Sequence, residues 1–251
     1  VKWALDGGGC FPTGRHYPGI AHLIKIVVQG LAGEWDAGAT VGDIPFVSID
    51  TETTGRDPAF DRIVELGCVV FRGGEVIARK GWLINPGRPI PPDATEVHGI
   101  KDEDVADAPT FEQVASEFLE MVSDVLPLAY NAEFDRNFIA AELGRMELKN
   151  TPWGERALPP AARSDVSWLD PLTWARELQK EERSRALGDV CERLGIALEN
   201  AHRATDDAEA AGRVMCAFLG DGRVPRNYGA FLREQRRLDK TFELERLRWR
   251  G

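Results

Sequence analysis

Two apolar, β-favouring runs separated by only two glycines constrain this chain more than any other feature. Arg62 to Arg72 (RIVELGCVVFR) reads as a strand, Gly73-Gly74 as a tight turn, and Glu75 to Asn85 as the returning strand. A two-residue, glycine-rich connection suits the turns whose twist matches an antiparallel hairpin. Upstream, Pro45-Phe-Val-Ser-Ile-Asp50 is a short apolar run that ends in charge. Three successive strands of this kind make an antiparallel meander.

Further along, the periodicity changes to that of helices. Pro86 to Pro92 holds four prolines and is expected to be loop. Thr110-Phe-Glu-Gln113 is a capping box, with an amphipathic pattern running to about Val122. Leu126 to Asn131 is an apolar run of strand length, and Asp135 to Met146 has helical spacing with Phe138, Ile139 and Leu143 on one face. Lys149 to Arg163 is proline-rich and is expected on the surface. Val166 to Leu169 is the expected last strand. Asp170-Pro171 opens a helix, with proline at its first position. Leu187, Val190, Cys191 and Leu194 form another helical face ended by Gly195, and Ala204 to Leu219 is a final core helix. Strands that alternate with helices after a meander imply an α/β domain with a mixed sheet. Its expected span is residues 44–222.

The flanks are less informative. Residues 1–43 form an appendage of unassigned role: glycine-rich at first, then one short helix expected over Ile20 to Trp35. The chain opens on Val rather than Met, which leaves a non-Met start codon, an upstream start or processing open. Residues 223–251 form a tail with nine basic and four acidic residues. Its Phe231, Leu238, Phe242 and Leu247 suggest a helix that docks on something.

Composition excludes some functions. Acidic residues outnumber basic ones, 41 to 31, for a net charge of −10. A broad electrostatic grip on duplex DNA needs the opposite balance. Cys10, Cys68, Cys191 and Cys216 form no C-x-x-C pair, so a zinc site has no support and a reducing cytoplasm is the expected location. The apolar stretch from Ala21 to Ala32 contains His22, Lys25 and Gln29. It is too short and too polar to span a bilayer and lacks the pattern of a signal peptide.

Three acidic segments remain. In Asp50-Thr-Glu52, residues i and i+2 of an extended chain point to one face. Two carboxylates held side by side call for a cation, and hard oxygen ligands suit magnesium or manganese. The acidic composition yields about seven such spacings by chance, so the pair alone reads first as a solvated strand end. Asp135 follows a strand at a helix start, where an acid also complements the helix dipole. His202 and Asp207 straddle another helix start, where the ordinary reading is an exposed histidine beside an acidic cap.

Taken together and in order, these segments resemble one family. Phe46-Val-Ser-Ile-Asp-Thr-Glu-Thr-Thr-Gly55, Tyr130-Asn-Ala-Glu-Phe-Asp135-Arg-Asn-Phe138 and His202-Arg-Ala-Thr-Asp-Asp207-Ala-Glu-Ala-Ala211 are similar to the three exonuclease motifs of the DnaQ-like (DEDDh) superfamily. Arg62-Ile-Val-Glu-Leu-Gly67, Val97-His-Gly-Ile100 and Ala186-Leu-Gly-Asp-Val-Cys191 resemble its connecting segments. Tyr130 is a departure, standing where many relatives carry histidine. Asp206 falls outside the motif position. His98 reads as a turn histidine bonded to local backbone.

The resemblance implies a ribonuclease H-like fold and a 3′→5′ exonuclease of the kind that proofreads for bacterial DNA polymerase III. Asp50, Glu52, Asp135 and Asp207 would hold two Mg²⁺ or Mn²⁺ ions about 4 Å apart. His202 would act as general base, and Thr53, Thr54, Asn131 and Phe134 would contact substrate. The implied partners are a nucleic acid 3′ end, most simply single-stranded DNA, and a polymerase subunit. RNA cleavage, as in RNase T and oligoribonuclease, and a noncatalytic adaptor of the same fold are the alternatives.

Overall fold

Alternation along one strand decides how the molecule is layered. In the computed structural model, which describes residues 29–148, 151–198 and 201–248, β1 (Phe46–Thr53) sends Phe46 to one apolar cluster and Val47 and Ile49 to another on the opposite face. β2 (Ile63–Arg72) and β3 (Glu75–Leu83) complete the meander. They are joined through Gly73 and Gly74, whose φ values of 59° and 84° require residues free of a Cβ penalty. There follow α1 (Pro92–His98), α2 (Asp102–Val105), α3 (Phe111–Met121), β4 (Leu126–Leu128) and α4 (Ala132–Arg145). α5 (Pro171–Leu178), α6 (Leu187–Leu194), α7 (Ala204–Leu219) and α8 (Tyr228–Arg248) end the described chain.

The strand order is β3-β2-β1-β4, antiparallel except for the parallel pair β1–β4. This is the expected α/β mixed sheet. Its Leu66, Cys68 and Val70 face lies under α3 and α4, and its Val69 and Phe71 face lies under α7, α5, α6 and α8. The sequence signals at helix ends hold. The Gln113 side chain accepts from the Thr110 N–H at 2.8 Å. Asp170 accepts from the Leu172 N–H at 2.9 Å, with Pro171 first in α5. Gly195 ends α6 at φ 66°.

Several expectations need correction. Val166 to Leu169 makes isolated bridges, Gly30↔Val166 and Leu128↔Leu169, rather than a strand. Pro92 is already inside α1. The Lys149–Arg163 stretch, in its described part, buries Trp153 and Ala161 in the core, because the α3–α4 face needs a cover. Of the helix expected over Ile20 to Trp35, residues 20–28 lie outside the described residues, and Gln29 to Trp35 form turns, a bridge at Gly30 and irregular chain rather than a helix. In α8, Phe231 and Leu238 are buried as expected, with Tyr228 and Leu232 beside them, but Leu247 is 57% exposed.

The two flanks meet. Val41 N–H donates to the Arg226 carbonyl at 2.8 Å, Tyr228 N–H to Ala39 at 2.9 Å, and Gly229 N–H to Ala37 at 2.8 Å. The Tyr228 hydroxyl accepts from the Ala32 N–H at 3.0 Å. No described helix is long and apolar enough to cross a membrane.

Candidate active site

β4 pairs with β1 only as far as Ser48↔Leu128. Past that level the chain turns through Asn131 into α4, whose first turn stands against β1. There the Thr51 hydroxyl donates to Asp135 Oδ1 at 2.8 Å. Asp135 is 3% exposed. Burial pushes its carboxyl up to about 7, against the Thr51 hydrogen bond and backbone N–H groups that favour the charged form.

Asp50 and Glu52 lie on the α7 face of β1, opposite Gly67 and Glu65 of β2. The absence of a side chain at Gly67 is what admits α7 to this position. A Cβ there would lie 2.3 Å from the Ala204 carbonyl carbon and 2.4 Å from the Thr205 nitrogen. Glu65, 4% exposed, grips the same helix start. It accepts from Arg203 Nη2 at 2.7 Å and from the Ala204 N–H at 3.2 Å. α7 therefore begins hard against the sheet, and Asp207 in its first turn arrives beside Glu52.

His202, exposed and in the left-handed region at φ 69°, directs its N–H to Asp207 Oδ2 at 2.9 Å. Ligand atoms of Glu52, His202 and Asp207 all lie within 4.8 Å of one another, a set able to hold a cation. Burial, then the Asp207, Glu65 and Asp135 charges, raise Glu52 to about 8. Burial and the charges of Asp135, Asp207, Glu52 and Glu65 raise Asp50 well above the carboxylate range. Burial raises Asp207 also, opposed by the His202 N–H. Four carboxylates raised toward protonation, first by burial and at Asp50 and Glu52 also by their neighbours' charges, fit a hard divalent cation.

The remaining expected residues are more varied. The Thr53 hydroxyl donates to the Gly55 carbonyl at 2.5 Å. Thr54 donates to Asp61 and accepts from the Arg62 N–H, each at 3.1 Å. Both hydroxyls are thus engaged within their own turn. Asn131 is exposed, and Phe134 is half-buried, with its ring centroid 4.9 Å from that of Phe138. His98 Nδ1 accepts from the Ile100 N–H at 3.0 Å, the expected local bond. Burial lowers its pKa, against a backbone hydrogen bond with Thr53 and the Glu65 charge, which favour the protonated ring. Asp206 is taken by Arg79. Thr51, Glu65, Gly67 and Arg203 were not singled out from sequence. A glycine inside an apolar strand run was the readable sign of a close backbone approach.

This order of strand pair, helix carboxylate, histidine and helix carboxylate on a mixed sheet follows the order of the three exonuclease motifs that the sequence resembles. Residues 47–215 match the exonuclease family typified by RNase T, and the chain belongs to that family. It is 35% identical over 179 residues to the PolC-type DNA polymerase III of Streptococcus pneumoniae, covering 71% of this chain and 11% of that one. The chain thus spans about a tenth of the length of the curated relatives it matches. Among solved structures, exonuclease X in complex with 5′-overhanging duplex DNA aligns with a TM-score of 0.57 at 22% identity, over 75% of this chain and 99% of that one. A 3′-exonuclease described in 3′-end-specific recognition of a histone mRNA stem-loop aligns with a TM-score of 0.55 at 20% identity, over 71% of this chain and 82% of that one. These two likenesses concern the fold.

Proposed function

We propose that this chain removes nucleotides from the 3′ end of DNA, releasing nucleoside 5′-monophosphates, with Mg²⁺ or Mn²⁺ as cofactor. One observation carries the reading: Asp50, Glu52, Asp135 and Asp207 are each raised toward protonation, by burial first and, at Asp50 and Glu52, by the charges of the others as well. Glu52 and Asp207 would hold one ion, and Asp50 with Asp135 would share a second. Bound divalent cations supply a polarised water and neutralise charge at the departing 3′ oxygen. His202, on the exposed rim beside Glu52 and Asp207, takes the proton of the attacking water. The half-buried Phe134 ring receives the terminal base by stacking. Thr53 and Thr54, with hydroxyls engaged, meet substrate through backbone, and Asn131 borders the strand's path.

The net charge of −10 accords with a substrate held locally through cations rather than by a basic surface. DNA is preferred over RNA because the curated relative named above is a DNA polymerase, and a proofreading role beside a polymerase subunit follows from the same likeness. The test is cleavage of 3′- and 5′-labelled DNA and RNA strands, matched in sequence, with and without chelator. Release of 5′-monophosphates from DNA 3′ ends, abolished by chelator, is expected. Faster RNA cleavage would move the assignment to RNA, and full activity after exhaustive chelation would overturn the metal mechanism.

A further inference from the structure

The outer edge of the Trp168–Asp170 segment is closed by a side chain. Leu169 spends its backbone groups on the β4 side, donating to the Pro127 carbonyl at 2.9 Å and accepting from the Ala129 N–H at 3.2 Å. In extended chain the neighbouring residues turn their groups the other way. Gln235 of α8 meets them there. Its Nε2 donates to the Trp168 carbonyl at 2.9 Å, and its Oε1 accepts from the Asp170 N–H at 3.0 Å. One primary amide supplies the donor and acceptor that another strand would have supplied. Gln235 is 4% exposed, a burial that a long polar side chain tolerates only when satisfied at both ends.

Asp170 carries this contact onward. Its carboxylate accepts from the N–H groups of Asn131 and Ala132, each at 3.0 Å. Asn131, the residue before α4, sits in the left-handed region at φ 68° and makes no side-chain cap of its own. A residue other than glycine stays there when its surroundings hold it. Asp170 also satisfies helix-start N–H groups that would otherwise lack partners. Asp135 stands in that same first turn.

We propose that Gln235 is a positioning residue for Asp135. It fixes the Asp170 backbone, the Asp170 carboxylate fixes the first turn of α4, and α8 thereby controls one carboxylate of the site. α8 lies wholly outside the residues 47–215 that match the family. The inference rests on the nuclease reading for the role of Asp135, while the link from α8 to α4 is tested without it.

Amide exchange of the full chain, followed residue by residue by NMR without metal or substrate, is the first measurement. Gln235→Met keeps volume and helix propensity and removes both hydrogen bonds. Exchange at Asn131 and Ala132 should quicken about tenfold, the scale of one net hydrogen bond. Asp170→Asn, which leaves α8 intact, should quicken the same amides because a neutral acceptor is weaker. Thr173→Val removes a different α8 tie, the hydroxyl bond to Asp239, and should leave them unchanged. Mn²⁺ affinity and kcat should fall about tenfold in Gln235→Met, and the double variant with Asp170→Asn should be no worse than the poorer single one, as for residues in one relay. Unchanged exchange at Asn131 and Ala132 in Gln235→Met, or an equal rise in Thr173→Val, would overturn the proposal. A wild-type chain that neither binds Mn²⁺ nor cleaves would instead remove the nuclease reading, with the exchange result still deciding the link.

Discussion

Replacing Gly67 by alanine isolates the contact that brings α7 to the sheet. The added Cβ would stand 2.3 Å from the Ala204 carbonyl carbon and 2.4 Å from both its oxygen and the Thr205 nitrogen, where ordinary contact begins near 3.4 Å. Those atoms are backbone at a helix start and cannot rotate away, so the first turn of α7 must retreat by about 1 Å. That turn carries Asp207, and His202 is hooked to it through the 2.9 Å bond. A misplacement of about 1 Å at a reacting centre costs on the order of a hundredfold in rate. The overpacking costs about 1–3 kcal/mol of stability, which in a chain of this size lowers the melting temperature by roughly 2–10 °C. The assay is single-turnover release of the 3′ nucleotide at 25 °C, where both proteins are folded, beside a Mn²⁺ titration and a thermal melt. Val122→Ala, a cavity in the α3 face of the core, serves as a control of similar destabilisation. A Gly67→Ala protein with wild-type rate would refute the reasoning, and so would an equal loss of rate in Val122→Ala.

Asp50→Ala should abolish metal binding and activity together. His202→Ala should keep most metal affinity and lose on the order of a hundredfold in rate; calorimetry showing equal loss of affinity in both would make His202 a ligand rather than a base. In metal-free buffer, stability should fall as pH rises from about 4 to about 8. Glu52 and Asp135 have folded-state pKa values raised to about 8 and about 7, so the folded chain holds more protons than the unfolded one across that window. Thermal melts should show the decline, and Mg²⁺ should reverse it most at the alkaline end; a melting temperature that climbs through the window would contradict it. Truncation after Gly222 removes the buried Tyr228, Phe231, Leu232 and Leu238. Each contributes about 1.5–3 kcal/mol, a total comparable with the 5–15 kcal/mol of a whole domain. The truncated chain should therefore fail to fold, and a cooperative melt by circular dichroism would show otherwise.

Local chemistry was the legible part of this chain. The Gly73-Gly74 turn, the Thr110 capping box, the Asp170-Pro171 helix start and the Gly195 stop each act within a few residues, and each stands where its signal put it. Short helices were missed: α1 and α2 have seven and four residues, too few for a period to show. Val166 to Leu169 looked like a strand because only its composition was visible. Its outer edge meets a glutamine side chain 66 residues beyond Leu169, which no local pattern encodes. The site was legible as motifs, but the meeting of Glu52, His202 and Asp207 depends on Gly67 and Glu65, whose partners lie some 138 residues away in sequence.

The pairing of residues 37–41 with 226–229 gives the nuclease fold a neck. Everything between leaves and returns through one place, as a loop of rope does at its knot. The chain on both sides of that neck is packed down as well, Ala32 before it and Phe231, Leu232 and Leu238 of α8 after it. Force on α8 therefore reaches the core through its buried Phe231, Leu232 and Leu238 as well as through the neck. α8 is thus both the flank of that neck and the element tied, through Gln235 and Asp170, to the first turn of α4.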